Sequence, residues 1–379
     1  MRIAQVCPYD IARPGGVQRH ILDMAGALRE LGHEVVVIAP RTDLPLAGPP
    51  GVHRIGRARK LNFSGTAFEI TIALGAERRT LKSLMRDGGF DIVHFHTPWT
   101  PFLALQALSF HAGPAVATFH DTPGHSVSGR ILAWLFRRLS RVLLPRFDLV
   151  LTPSDAPRGH LADEKRAIVT FPPCTDLRAF RDAAPAAGFQ DGKLNLLFLG
   201  RLEPRKGAML LLEAYRRLHA TGLDLRLIVA GSGPEEARLR DFVKQHALHD
   251  VVFVGAPRDT APWFAAADIF CAPAPHGESF GIVLTEAMAA GRPIVAAANE
   301  GYRTVLDGEA ARFLVSPGSA AELARAIATL AADGALRARL GAWGREASAR
   351  YDCRHLAPSL VALYQDAIAH HRLRAQSVT

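Results

Sequence analysis

No stretch of this chain approaches the ~20 consecutive apolar residues that a membrane-spanning helix needs. The protein is therefore expected to be soluble, or to lie on a membrane without crossing it. Aromatic residues are few, 7% of the chain. Blocks of consecutive Lys and Arg are missing, which argues against a nucleic-acid-binding arm. Cysteine is scarce: Cys7, Cys174, Cys271 and Cys353 lie far apart, and no pair has metal-ligand spacing. Three sit in or beside apolar runs, so all four read as reduced core thiols of a cytosolic protein. The N-terminus, Met-Arg-Ile-Ala-Gln-Val-Cys-Pro, opens on a strand and not on a signal peptide. A dinucleotide fingerprint is also missing. Gly15-Gly16 lacks the Gly-x-Gly-x-x-Gly spacing, and Gly231-Ser232-Gly233-Pro234-Glu235-Glu236 lacks the third glycine. Both facts count against an NAD-dependent dehydrogenase.

What is present fits an α/β protein. The chain has 379 residues, enough for two domains of ordinary size, and its apolar content is 49%. The net charge of +9 suits an anionic partner such as a nucleotide or an anionic lipid. Residues 2–7 make an apolar strand, 17–31 a helix, and 34–39 a continuous Val/Ile strand. This reads as a βαβ unit with a glycine pair at its strand-to-helix turn, where such folds bind ligands. Residues 41–66 are irregular by composition and 68–86 read as a helix. Strands follow at 91–95, 115–119 and 148–152, ending on His96-Thr97, His120-Asp121 and Ser154-Asp155. Pro172, Pro173, Pro185 and Gly188 mark 172–193 as a linker. Strands resume at 194–199, 225–230, 251–254, 268–272 and 293–297. Helices are expected at 319–331, 334–350 and 355–373. The domains are thus 1–180 and 190–354, two Rossmann-like sheets facing across a deep cleft, with helix 355–373 returning to the first.

Residues 276–295 carry the densest chemistry. Glu278 sits on a loop, and Ser279, Phe280, Gly281 and Ile282 lead into an apolar helix that contains Glu286. Backbone N–H groups at a helix start favour a phosphate, and Gly281 has no Cβ to block close approach. One carboxylate on each side of that phosphate would accept from hydroxyls, those of a sugar at one end and a ribose at the other. The alternative is a capped helix with two solvated acids. It is disfavoured because buried acids need partners.

The glycine-pair loop, Arg201-x4-Lys206 and Glu278-x7-Glu286 stand in order over two Rossmann-like halves. This set resembles the retaining glycosyltransferases of family 4, of GT-B architecture. Cys7-Pro8-Tyr9-Asp10, Pro14-Gly15-Gly16-Val17-Gln18 and Glu278-Ser279-Phe280-Gly281 look most like the phosphatidylinositol mannosyltransferases within it. The resemblance implies a nucleotide-diphosphate sugar, GDP- or UDP-linked, as donor. Arg201 and Lys206 would grip the diphosphate and stabilise the departing charge. Gly16 would approach the diphosphate from the first domain and His120 would touch the transferred sugar. Glu278 would bind donor-sugar hydroxyls, Glu286 the ribose, and Gly231 would lie near the nucleotide. Attack is expected on the front face of the sugar, with the departing phosphate taking the acceptor proton. The chain lacks Asp-x-Asp, so neither a metal nor another cofactor is implied.

Two runs depart from the mannosyltransferase pattern: Pro173-Cys174-Thr175-Asp176, and Asp121-Thr122-Pro123-Gly124-His125. Both concern the acceptor side, as does Tyr9. Arg78, Arg79, Lys82 and Arg86 fall on one face of the helix at 68–86. Segment 130–146 adds Arg130, Arg137, Arg138, Arg141 and Arg146 beside Trp134, Leu135 and Phe136. Both segments read either as sheet-covering helices with solvated basic faces or as surfaces for anionic lipid. The leading expectation is a lipid or glycolipid acceptor and a cytoplasmic protein peripheral on the inner membrane face. Alternatives are a polysaccharide or small-molecule acceptor, a nucleotide-sugar epimerase of the same architecture, and a non-catalytic nucleotide-sugar binding subunit.

Overall fold

A computed structural model describes residues 1–13, 15–41, 51–63, 66–100, 102–122, 127–159, 161 and 167–376. Pro14 and the Pro123-Gly124-His125 run lie outside the described residues. The chain forms two compact units: Met1–Asp176 with Tyr351–Thr379, and Leu177–Arg350.

The first unit runs β1 (Arg2–Val6), α1 (Gly16–Glu30), β2 (Glu34–Arg41), β3 (Val52–Phe63), β4 (Thr66–Ile72), α2 (Gly75–Asp87), β5 (Ile92–His96), α3 (Leu103–Phe110), β6 (Ala115–Thr118), α4 (Val127–Leu143), β7 (Leu149–Thr152), α5 (Asp155–Arg158) and β8 (Ile168–Thr170). The strands form one sheet in the order β4-β3-β2-β1-β5-β6-β7-β8. All pairs are parallel except the β3–β4 hairpin. Both faces are covered, as the uninterrupted apolar run of β2 requires. Val36 and Ile38 enter the core that holds Phe95 and Trp99, while Val35, Val37 and Ala39 enter the core under α1. The C-terminal helix, Cys353–Gln376, packs on α1 and buries Leu356, Leu360 and Tyr364 beneath it.

Three expectations need correction. Val52–Phe63 and Thr66–Ile72 are paired antiparallel strands, not irregular chain followed by a helix, and α2 starts only at Gly75. The β-branched Thr66, Ile70, Thr71 and Ile72 favour an extended backbone, and a helical reading of 68–72 overrode that preference. Strands β8 and β14 (Leu314–Val315) were not expected; at three and two residues they carry almost no pattern. The third correction is covalent. Cys174 and Cys353 are joined in a disulfide, with their Cα atoms 4.8 Å apart, and only Cys7 and Cys271 are buried free thiols. The thiols therefore no longer argue for a reducing compartment.

The second unit runs α6 (Arg178–Arg181), β9 (Leu194–Leu199), α7 (Ala208–His219), β10 (Leu225–Ala230), α8 (Glu236–Gln245), β11 (Val251–Gly255), α9 (Ala261–Ala266), β12 (Ile269–Ala272), α10 (Ile282–Ala289), β13 (Ile294–Ala297), β14, α11 (Ala320–Ala332) and α12 (Gly334–Ser348). Its sheet has the order β11-β10-β9-β12-β13-β14 and is parallel throughout. In such sheets, ligands bind beyond the carboxyl ends of the strands, where the strand order reverses. That point lies between β1 and β5 in the first unit, and between β9 and β12 in the second.

Candidate functional site

In the second unit the loops after β9 and β12 meet at the switch point. The chain leaves β9 at Gly200 and makes a single 3₁₀ turn, Pro204–Lys206. Gly207 follows with φ +75° and caps α7; a Cβ there would stand 2.5 Å from the Pro273 carbonyl oxygen. Close backbone approach therefore requires glycine at this position. The turn folds Arg201, Glu203, Arg205 and Lys206 into one charged row. Glu203, 3% exposed, accepts from Arg201 and, at 3.3 Å, from Arg205 Nε. Glu278, on the loop after β12, accepts from Lys206 Nζ at 2.5 Å and from Arg205 Nη1 at 3.5 Å. The result is an alternating chain, Arg201–Glu203–Arg205–Glu278–Lys206. Three cations face two acids, so the row is net positive and poised for an anion.

The structure thus brings Arg201, Lys206 and Glu278 into one row. It adds Glu203 and Arg205, which stand in the same run and could have been found there. A buried acid between two arginines holds them in register, and a carboxylate so placed needs such partners.

Ser279, Phe280 and Gly281 lead into α10 from Glu278. Gly281 occupies the N-cap with φ +108°, and a Cβ would press to 2.6 Å from the Tyr302 ring. Tyr302 is itself buried, and burial, then the Glu278 charge, pushes its hydroxyl well above the usual range. Gly301 lets the same loop cross, since a Cβ there would meet the Glu278 carbonyl oxygen at 2.4 Å. Helix α10 is apolar around its circumference, and six of its eight residues are buried, Glu286 among them. Ile282 opens the helix and Glu286 lies one turn further in. Gly231 follows β10 with φ +153°, and a Cβ would overlap the Gly200 carbonyl oxygen. The close approach of these two backbones is sufficient reason for a glycine there.

In the first unit four imidazoles gather where the strand order reverses. His94 and His96 are on β5, His120 follows β6, and His20 comes from α1. All four are buried. His96 Nδ1 lies 3.0 Å from His120 Nε2, and the two rings stack. His94 bonds the Tyr364 hydroxyl and Thr118 Oγ1, each at 2.7 Å. His20 Nδ1 accepts from the Cys174 amide at 3.0 Å and lies 3.3 Å from the Cys174 carbonyl oxygen. Burial pushes every one of these imidazoles down: His20 to about 4, His94 to about 3, His96 and His120 well below the usual value. His120 is therefore neutral at physiological pH and able to accept or donate one hydrogen bond. Its neighbour Asp121 accepts from Trp99 Nε1 at 2.8 Å. Burial and the Asp121 charge hold the Tyr9 hydroxyl well above its usual range. Gly16 is the first residue of α1. His120 was legible at a strand end, whereas His20 and His94 were hidden within a helix and a strand.

Arg78, Arg79, Lys82 and Arg86 are all exposed on α2, which buries Leu81 and Met85 on its other face. They do not approach the imidazole cluster through any hydrogen bond or ion pair described. Helix α4 exposes Ile131, Trp134, Leu135 and Val142 at helical spacing, beside exposed Arg130, Arg137, Arg138 and Arg141. Arg138 stacks over Trp134 at 5.0 Å. Among the described residues no helix is long and apolar enough to cross a membrane.

Comparison with known proteins gives concordant results. The family model for Glycosyltransferase Family 4 matches residues 14–178, and that for glycosyl transferases group 1 matches residues 180–347. A phosphatidyl-myo-inositol mannosyltransferase of Mycobacterium leprae is 36% identical, with 96% of each chain covered. Sucrose-phosphate synthase from Thermosynechococcus elongatus has a similar structure, with TM-score 0.76, 23% identity, and 97% and 99% of the two chains covered. The Anabaena protein Alr3699/HepE in complex with UDP and glucose gives TM-score 0.74 at 19% identity, covering 96% and 99%.

Proposed function

The chain belongs to glycosyltransferase family 4 and is a glycosyltransferase, and on that premise we propose that it moves a hexose from a nucleotide-diphosphate sugar to a lipid head group at a membrane surface, with retention at the anomeric carbon. The observation that carries the donor assignment is the charged row Arg201–Glu203–Arg205–Glu278–Lys206. As the nucleoside diphosphate departs, negative charge develops, and fixed cations stabilise that charge more than the ground state. Arg201, Arg205 and Lys206 supply it, with Glu203 fixing the two guanidinium groups. Glu278 leaves its pairing with Lys206 to accept from sugar hydroxyls when the donor arrives. Glu286 takes the ribose hydroxyls. No carboxylate is invoked as nucleophile; the departing phosphate oxygen takes the acceptor proton. His120, neutral, hydrogen-bonds the transferred sugar.

The acceptor assignment rests on two supports. The Mycobacterium leprae relative is named for transfer to phosphatidyl-myo-inositol. The exposed α4 stripe and the basic face of α2 suit an anionic lipid surface, each cation contributing about 1 kcal/mol near it. The test uses the full chain with phosphatidylinositol vesicles, GDP-mannose and then UDP-glucose. A glycosylated lipid with the donor's anomeric configuration is expected. Release of nucleotide without lipid product, or no flotation with anionic vesicles at moderate salt, would overturn the reading.

A further inference from the structure

We infer that Asn299 is a positioning residue for the transfer: its side-chain amide ties the loop after β13 to the loop after β12 and so fixes where Glu278 stands. The inference rests on the donor reading proposed above. Glu278 sits in a loop poorly equipped to hold itself. Pro273 and Pro275 lack a backbone N–H, and Gly277, at φ +77°, has no side chain to pack. In the free protein Lys206 Nζ grips the Glu278 carboxylate at 2.5 Å. The donor sugar takes that carboxylate over, so the ion pair cannot be what places it during transfer. The backbone around Glu278 has to be held from elsewhere.

The hold comes from the next loop. Strands β12 and β13 are neighbours in the sheet, so the segments leaving their carboxyl ends run side by side. Asn299, the second residue after β13, is 6% exposed. Its Nδ2 donates to the Ala274 carbonyl oxygen at 2.8 Å, upstream of Glu278 in the same loop. Its Oδ1 accepts from the Tyr302 amide at 2.9 Å. The partners fix which end is which, since a carbonyl only accepts and a backbone N–H only donates. The segment that Asn299 secures then presses on the Glu278 backbone. Gly301 passes so close that a Cβ would stand 2.4 Å from the Glu278 carbonyl oxygen and 2.7 Å from the Phe280 nitrogen. The Tyr302 ring meets Gly281 at the start of α10. One amide thus braces the Glu278 segment at both ends, upstream through Ala274 and downstream through Tyr302. Removing it strands a buried carbonyl and a buried N–H, which costs free energy unless the two loops part. A shift of about an ångström in a group that positions substrate can lower a rate by about 10²-fold.

The test is a double-mutant cycle of Asn299→Ala and Glu278→Ala in the full chain. GDP-mannose and UDP-glucose are the donors and phosphatidylinositol vesicles the acceptor. The cycle is read on kcat/KM and, by calorimetry, on the donor dissociation constant, so it does not depend on measurable transfer in Glu278→Ala. Asn299→Ala should lower kcat/KM for the donor roughly 10–100-fold when Glu278 is present. Once Glu278 is gone the same change should cost about twofold or less. Losses that add fully in folded proteins would show that Asn299 does not act through Glu278 and would overturn the inference alone. Asn299→Asp, assayed at about pH 8, separates the two bonds: an ionised carboxylate accepts from the Tyr302 amide but donates nothing to Ala274. It should lose transfer as Asn299→Ala does, and it decides the matter if Asn299→Ala fails to fold. Wild-type kcat/KM in Asn299→Asp would overturn the cross-loop tie. Wild-type kcat/KM and donor affinity in Glu278→Ala would overturn the donor reading itself, and this inference with it.

Discussion

Acid should unfold the first unit before the second. His20, His94, His96 and His120 are buried and held neutral in the native state. In the unfolded chain each regains a pKa near 6.5. Their folded values lie below that, so the stability they permit is complete above about pH 6.5 and is lost as pH falls. At pH 5 an unfolded histidine with a native counterpart that cannot protonate costs about 2 kcal/mol. His20 and His94 alone then remove about 4 kcal/mol. Their loss levels off only near pH 4 for His20 and near pH 3 for His94. A domain has only about 5–15 kcal/mol in total. The second unit has four histidines, His219, His246, His249 and His276, and none is buried. The assay is urea unfolding from pH 7.5 to 4.5 in chelator, with hydrogen exchange resolving the two units. The midpoint of the first unit should fall steeply below pH 6.5, with at least two protons taken up on unfolding at pH 5. Uptake of fewer than one proton, or earlier loss of the second unit, would refute the reasoning.

Three further outcomes are expected. Lys206→Ala and Arg201→Ala should each lower turnover by roughly 10²–10³ with donor saturating, measured by release of nucleoside diphosphate in the presence of acceptor; unchanged turnover in either would contradict the leaving-group role. Gly281→Ala should lower the melting temperature, because the new methyl group meets Tyr302 at 2.6 Å and the backbone at φ +108° disfavours a side chain. The cost is about 1–3 kcal/mol, read by thermal denaturation. Reduction of Cys174–Cys353, which closes a separation of 179 residues, should cost up to about 5 kcal/mol in global unfolding. Urea midpoints with and without reductant, and for Cys174→Ser, check this.

The doubly wound core was legible because buried parallel strands are continuous apolar runs, as at Val35–Ala39, and each is followed by an amphipathic helix. The hairpin at 52–72 was not, because Gly51, Gly56 and four arginines and lysines mask its alternation. The charged row was half legible. Arg201 and Lys206 stood out by spacing, while Glu203 acquires its role only when burial places it between two guanidinium groups. The imidazole cluster and the disulfide were illegible for one reason. His20, His96 and His120, like Cys174 and Cys353, are brought together only by the sheet order and the returning helix. Local pattern does not encode contacts across such separations.

The disulfide has a mechanical corollary. Asp176 and Tyr351, where the chain leaves and re-enters the first unit, flank the Cys174–Cys353 bond and the Thr175–Asp352 bridge. Tension applied between the two ends of the polypeptide would cross that covalent shortcut and bypass residues 177–350. The second unit would hang as an unloaded pendant. Cleaving the bond would add on the order of 600 Å of slack once that half unravelled.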